Sequence, residues 1–250
     1  MLALIRQAQQ ESKAKVFTVL RAVLTRWTSH YLAFRRLLDL KASLIKIAGD
    51  EDFRSPADKL FVQGKKESKE NARKMLKRIN GPNSTKFWAD LVSLVRYLRP
   101  LSIAANVLQS SHARLDDVIL TFGFLVLEFQ AMSQLHNPQH KLAAAAVIDS
   151  VEKRWREVDQ EVFIAAVIAN PRYRFRPFAR IDQLHRNGIC ALFERLFKRF
   201  FKRMPTSTFY AEISAYLDGN GTYHGIDRAL ESAESAALSV SNFSRSHGYI

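Results

Sequence analysis

Residues 188–204 read GICALFERLFKRFFKRM. Ile189, Leu192, Phe193, Leu196, Phe197, Phe200, Phe201 and Met204 fall at i, i+3, i+4, i+7, i+8, i+11, i+12 and i+15. At about 3.6 residues per turn those positions share one side of an α-helix, whereas a strand would alternate every second residue. Arg195, Lys198, Arg199, Lys202 and Arg203 fill the other side. Three readings of the segment are open: a core-docked helix with a basic solvent face, a helix facing nucleic acid, or a helix lying on a membrane. The mean hydropathy of −0.16 and the lack of a second membrane signal count against the last.

The helical signal extends outward from this segment. Trp27, Tyr31, Phe34 and Leu38 lie at i, i+4, i+7 and i+11, one stripe of a second helix. SPADKL at 55 offers Ser55 as an N-cap and Pro56 at the first helical position, and Asn137-Pro138 repeats the device before an alanine-rich run. A helix is expected to start at Ser84 as its cap and to stop before Pro100. VILTFGFLVLEF and VFIAAVIAN are rich in β-branched or aromatic residues and could be strands; both are expected to be buried helices. Nine glycines and seven prolines leave little material for the turns of an all-β fold. The expected fold is mainly α. Its expected organisation is a helical domain over 1–203, followed by a separate region over 204–250.

The net charge is +14, from 38 Lys and Arg against 24 Asp and Glu in 250 residues. Such an excess repels itself in a compact chain unless a polyanion meets it, and nucleic acid is the usual polyanion. Residues 1–99 hold 21 basic and 9 acidic side chains, 100–171 hold 5 and 8, 172–203 hold 10 and 2, and 204–250 hold 2 and 5. Two basic blocks flank a mildly acidic one. This favours a localised binding surface over even, histone-like basicity, and the two blocks are expected to share a face.

Other chemistries find little footing. Cys190 is the single cysteine, which excludes an internal disulfide framework and a multi-cysteine zinc site, and suits a reducing compartment. The sequence contains no GxGxxG, phosphate loop, HExxH or GxSxG. His136 and His140 are four apart, but the expected helix start falls between them, which argues against a shared metal. Asp116 and Asp117 are adjacent and so diverge on a helix. No apolar run is expected to reach the ~18 residues of a membrane span, and MLALIRQAQQESK lacks a secretory core. No membrane or small-molecule partner is expected.

TRWTSHYLAFRRLLDLKASL, from Thr25, resembles the Thr-Arg-Trp segment of the hAT family of DNA transposases. FWADLVSLVRYLRPLSIAANVLQSSHARLDDVILTFGFL is similar to the next run of that family. FIAAVIANPRYRFRPF is similar to its Ala-Ala-x-Leu-Asn/Asp-Pro-Arg-Tyr/Phe-Lys signature. FYAEISAYLDGNGTY resembles the opening of the C-terminal dimerisation region of fungal-type members. The four stretches occur in family order and cover roughly residues 1–225.

The resemblance implies the all-helical insertion of a ribonuclease H-like transposase, with the catalytic sheet largely absent. It also implies DNA as partner, a nuclear location, and association with another copy or with an intact transposase. The family tryptophan is thought to stack on a flipped base, a role that carries over to Trp27, with Arg26 beside it for phosphate. Together with the basic blocks, the expected DNA contacts are Arg26, Trp27, Arg35 and Arg36, and Arg172, Arg174, Arg176, Lys198, Arg199, Lys202 and Arg203. Two readings of Trp27 are open, a core residue on the Tyr31 stripe or an exposed stacking ring. The chain departs from the family pattern in its chemistry. Only 24 residues precede Thr25, none of them Asp, and the family's Cys-x-x-His step and Ser-Glu-Arg-x-Phe-Ser glutamate motif do not occur. The expectation is a catalytically incomplete fragment that needs no cofactor, although intact members use Mg or Mn.

Overall fold

A computed structural model describes residues 2–12, 15–23, 27–62, 64–226, 228–232 and 235. The chain is mainly helical, and no strand occurs among the described residues. It divides into two compact units, Met1–Gln109 and Ser110–Ile250. The division expected at 203/204 falls inside the second unit.

In the first unit, α1 (Leu2–Glu11) packs on α3 (Lys41–Phe53), α3 on α4 (Lys66–Asn80), α4 on α5 (Ser84–Leu108), and α5 on α2 (Trp27–Asp39). Ile5, Ala8, Tyr31, Leu40, Ala48, Trp88 and Leu91 are buried, with Phe34 and Leu38 half-buried on the Tyr31 stripe. Irregular residues 15–23 are tied to the helices by side chains. The buried amide of Gln9 donates to Phe17 O (3.0 Å) and accepts from Phe17 N (2.7 Å), while Ser29 Oγ accepts from Val23 N (2.8 Å). Backbone groups of half-buried Phe17 and exposed Val23, outside regular structure, thereby find partners.

Two expected boundaries move. Ser84 is the first residue of α5 and not its cap, and the helix passes through Pro100 to Leu108. The ring removes one N–H and crowds the preceding turn, at roughly 3 kcal/mol. Pro100, Ser102 and Ala104 are all buried, so tertiary packing carries the helix onward. At 25 residues and a mean hydropathy of 1.3 over its most apolar window, α5 is long and apolar enough to cross a bilayer, contrary to the expectation of no such run, because the apolar residues around Arg96 and Arg99 outweigh those two charges. Ser55-Pro56 opens only one turn, closed by Asp58 N donating to Ser55 O at 3.0 Å. The helix expected there does not form because the next amides are taken. Glu51, 1% exposed at the end of α3, accepts from the N–H groups of Leu60, Phe61 and Val62 at 3.0, 2.9 and 3.4 Å.

The corner from α4 into α5 turns at Gly81, where a Cβ would overlap the carbonyl oxygen of Lys77. Only glycine allows that approach. Trp88 Nε1–H then donates to Ile79 O at 3.0 Å, fastening the start of α5 to the end of α4.

The second unit begins with the antiparallel pair α6 (Leu115–Ser133) and α7 (Pro138–Glu157), with α8 (Gln160–Ala169) against α6. Both strand-rich segments are helical, as expected. Asn137 caps α7 by accepting from Gln139 N at 2.9 Å. Asp117 caps α6 through Arg114 N at 2.9 Å, and buried Asp116 accepts from Asn170 Nδ2 at 2.5 Å and Arg114 Nη2 at 2.9 Å. The adjacent aspartates hold structure. Helix α9 (Arg186–Phe201) packs on α8, and α10 (Ser207–Asp218) follows. Ile189, Leu192 and Leu196 join Val167, Ile168 and Phe178 in the core, whereas Phe200, Phe201 and Met204 are exposed. Lys202, left-handed at φ 54°, ends the helix.

Candidate nucleic-acid interface

Arg26 lies outside the described residues, as does the side chain of Trp27, the residue that opens α2. Arg35 and Arg36 sit on α2 with different surroundings. Arg35 is exposed, its nearest polar contact being Tyr31 Oη at 3.5 Å. Arg36 is half-buried; its Nη1 donates to Thr18 O at 2.8 Å and its guanidinium lies over the Phe17 ring. Arg36 therefore braces the 15–23 segment.

In the second unit, Arg172 and Arg176 are exposed on the turns after α8. Arg174 is turned inward. It is 6% exposed, sits at φ 49°, and lays its guanidinium over Tyr216, whose hydroxyl donates to Ile168 O at 2.9 Å. The basic side of α9 is laced to acidic neighbours. Arg195 pairs with Glu161 at 2.7 Å, Lys198 with Glu194 at 2.5 Å, and Arg199 with Asp159. The Arg199 bond holds the Asp159 carboxyl below its usual range, and the bonds from Lys198 and Tyr210 do the same for Glu194. Lys202 and Arg203 are exposed beyond the helix, Arg203 over the Phe197 ring.

The division into units redistributes the charge. Residues 1–109 hold 21 basic and 9 acidic side chains, net +12; residues 110–250 hold 17 and 15, net +2. The second basic block is thus largely balanced within its own unit, and the unbalanced charge belongs to the first. The two blocks expected to share a face belong to different units.

Within the first unit, α4 concentrates charge that the sequence reading passed over. KESKENARKMLKRIN carries Lys66, Lys69, Arg73, Lys74, Lys77 and Arg78 against two glutamates, and none of its residues is buried. Ala72, Leu76 and Ile79 lie half-buried along its inner side. Lys69, Arg73 and Lys77 repeat every four residues, about 6 Å per step along the axis. Lys74 is occupied by Glu70 at 2.8 Å, but Lys69, Arg73 and Lys77 have no ion-pair partner among the described residues. All three line an open groove of about 480 Å³, whose other wall includes Asp52, Lys59 and Val62. Lys59 is held there by the carbonyl oxygens of Glu51 and Asp52. The spacing was readable in the sequence, but without an aromatic residue or a family motif it looked like an ordinary solvated helix face.

No family model matches the chain, and neither a curated protein nor a solved structure is significantly similar to it.

Proposed function

We propose that the chain is a transposon-derived, nuclear DNA-binding protein, akin to the non-catalytic helical part of a hAT transposase and without strand-transfer activity. The observation that carries this reading is the net charge of +12 confined to one helical unit of 109 residues. An excess so localised is the electrostatic footprint of a polyanion site. The four family-like stretches and the mainly helical character agree with the proposal. It is tested by fluorescence anisotropy on a labelled duplex and a labelled hairpin across a salt series. Log K should fall linearly with log salt, at about −0.9 per phosphate contact on duplex DNA. Failure to bind either DNA at low salt would sink the proposal.

A second reading, self-association, draws support from the exposed cluster Phe200, Phe201 and Met204 beside α10. Contiguous exposed apolar side chains commonly mark contact surfaces. The occupant would be a second copy of this chain. Light scattering coupled to gel filtration should then give a dimer that Phe200→Ser/Phe201→Ser converts to monomer; a monomeric parent chain would reject it.

A further inference from the structure

We infer that the groove along α4 is a rail for the sugar–phosphate backbone of duplex DNA, gripped without any reading of bases. The inference rests on the nucleic-acid proposal above and narrows it to named residues. From Lys69 through Arg73 to Lys77 is eight helical steps, about 12 Å. Each strand of a duplex rises about 3.4 Å along the axis per phosphate, but its phosphates lie further apart along the strand itself, so three cations about 6 Å apart meet about one phosphate each. The charges are free to act, in contrast to Arg195, Lys198 and Arg199, whose carboxylate partners are already in place.

The lining explains why bases are ignored. It comprises charged and aliphatic residues, Pro56 and Gly81, with no aromatic ring among them. Without a ring there is no platform for an unstacked base, the main grip on single strands. The groove is open, as a continuous backbone requires. Its loop wall is fixed from below by Glu51, whose carboxylate holds three successive amides, and by Lys59, bound to two carbonyl oxygens. Asp52 lines the α3 side, and its negative charge keeps a phosphate toward the α4 row.

The test compares the full chain with Lys69→Gln/Arg73→Gln/Lys77→Gln on one duplex and on a single strand of the same length. The salt slope on the duplex should shrink by about 2–3 units. Lys69→Arg/Arg73→Lys/Lys77→Arg should restore it, and thermal melting should not change because all three side chains are exposed. Should the triple variant melt early, single Arg73→Gln replaces it, with an expected loss of about one unit of slope. A parent chain that binds duplex steeply while the triple variant keeps its slope overturns the rail but leaves the nucleic-acid proposal standing. A parent chain that binds no duplex at low salt overturns both. Displacement of duplex by polyglutamate at equal charge concentration would assign the row to acidic proteins and overturn the rail. A larger loss on single strands than on duplex would overturn the claim of backbone-only contact.

Discussion

The guanidinium of Arg36 stands 4.7 Å from the centroid of the Phe17 ring and donates to the neighbouring carbonyl oxygen of Thr18. One side chain on α2 thereby fixes a segment that has no regular structure of its own. A cation over a ring contributes ~0.5–1 kcal/mol, and a charged hydrogen bond ~1.5–3 kcal/mol. Arg36→Ala should therefore cost about 1–3 kcal/mol in urea unfolding, whereas Arg35→Ala should leave the midpoint almost unchanged. Equal losses in the two variants would remove the bracing role.

Glu51 gives the first unit an acid-sensitive joint. Burial pushes its carboxyl upward, but the amides of Phe61, Leu60 and Val62, with Lys59 nearby, outweigh that and hold it below its ordinary value. A carboxyl depressed in the folded state contributes stability that is present above its unfolded value and lost as pH falls through the folded one. Glu51→Gln should be clearly less stable than the parent at pH 7, by ~1.5–3 kcal/mol for a weakened charged hydrogen-bond set. Denaturation at steps down to pH 3 should show the two proteins converging. A gap that persists undiminished in acid would mean that shape, and not charge, makes the joint.

The stripe of α9 should split into two classes on truncation. Ile189 is 1% exposed, so Ile189→Ala should cost ~2–5 kcal/mol. Phe200 is 60% exposed, and Phe200→Ala should stay within about 0.5 kcal/mol of the parent. Chemical denaturation of both variants checks the contrast; comparable losses would require Phe200 to be covered.

Removing the laced charges of α9 should matter little to DNA. Arg195→Ala/Lys198→Ala/Arg199→Ala leaves Glu161, Glu194 and Asp159 without these partners, and the duplex salt slope should change by less than about one unit. A drop matching that of the α4 triple variant would show that the pairs open on binding.

The sequence displayed those elements whose signals are local. The α9 stripe and the Asn137 cap follow from periodicity and neighbouring residues, whereas the two strand-rich segments are helical against their β-branched and aromatic composition. The helix through Pro100 was hidden because burial of Pro100, Ser102 and Ala104 overrides a local stop signal. Ser55 failed as a helix start because Glu51, outside the motif, captures the amides of Leu60, Phe61 and Val62. Among the expected contacts, Arg36 and Arg174 look like free cations in the sequence. Only Phe17 and Tyr216, brought in by the fold, reveal them as packing groups. The reverse holds for Lys69, Arg73 and Lys77: an undistinguished charge run becomes a candidate site once the chain behind it supplies a wall.

Gly81 and Lys77 together set how this region tolerates change. At positions 69, 73 and 77 the requirement is a positive charge on a solvent-facing turn, which Lys and Arg meet about equally well. At 81 the requirement is the absence of a side chain, because a single methyl group would collide with the backbone of residue 77. A saturation library screened for folding should therefore show exchange at the three cationic positions with every residue but proline, and near-complete intolerance four residues beyond the last. Screened for DNA retention, the same library should narrow the three positions to Lys and Arg while leaving the profile at 81 as it was. The corner dictates where α4 points, and the side chains dictate what that direction offers, so variation can reset the second without disturbing the first.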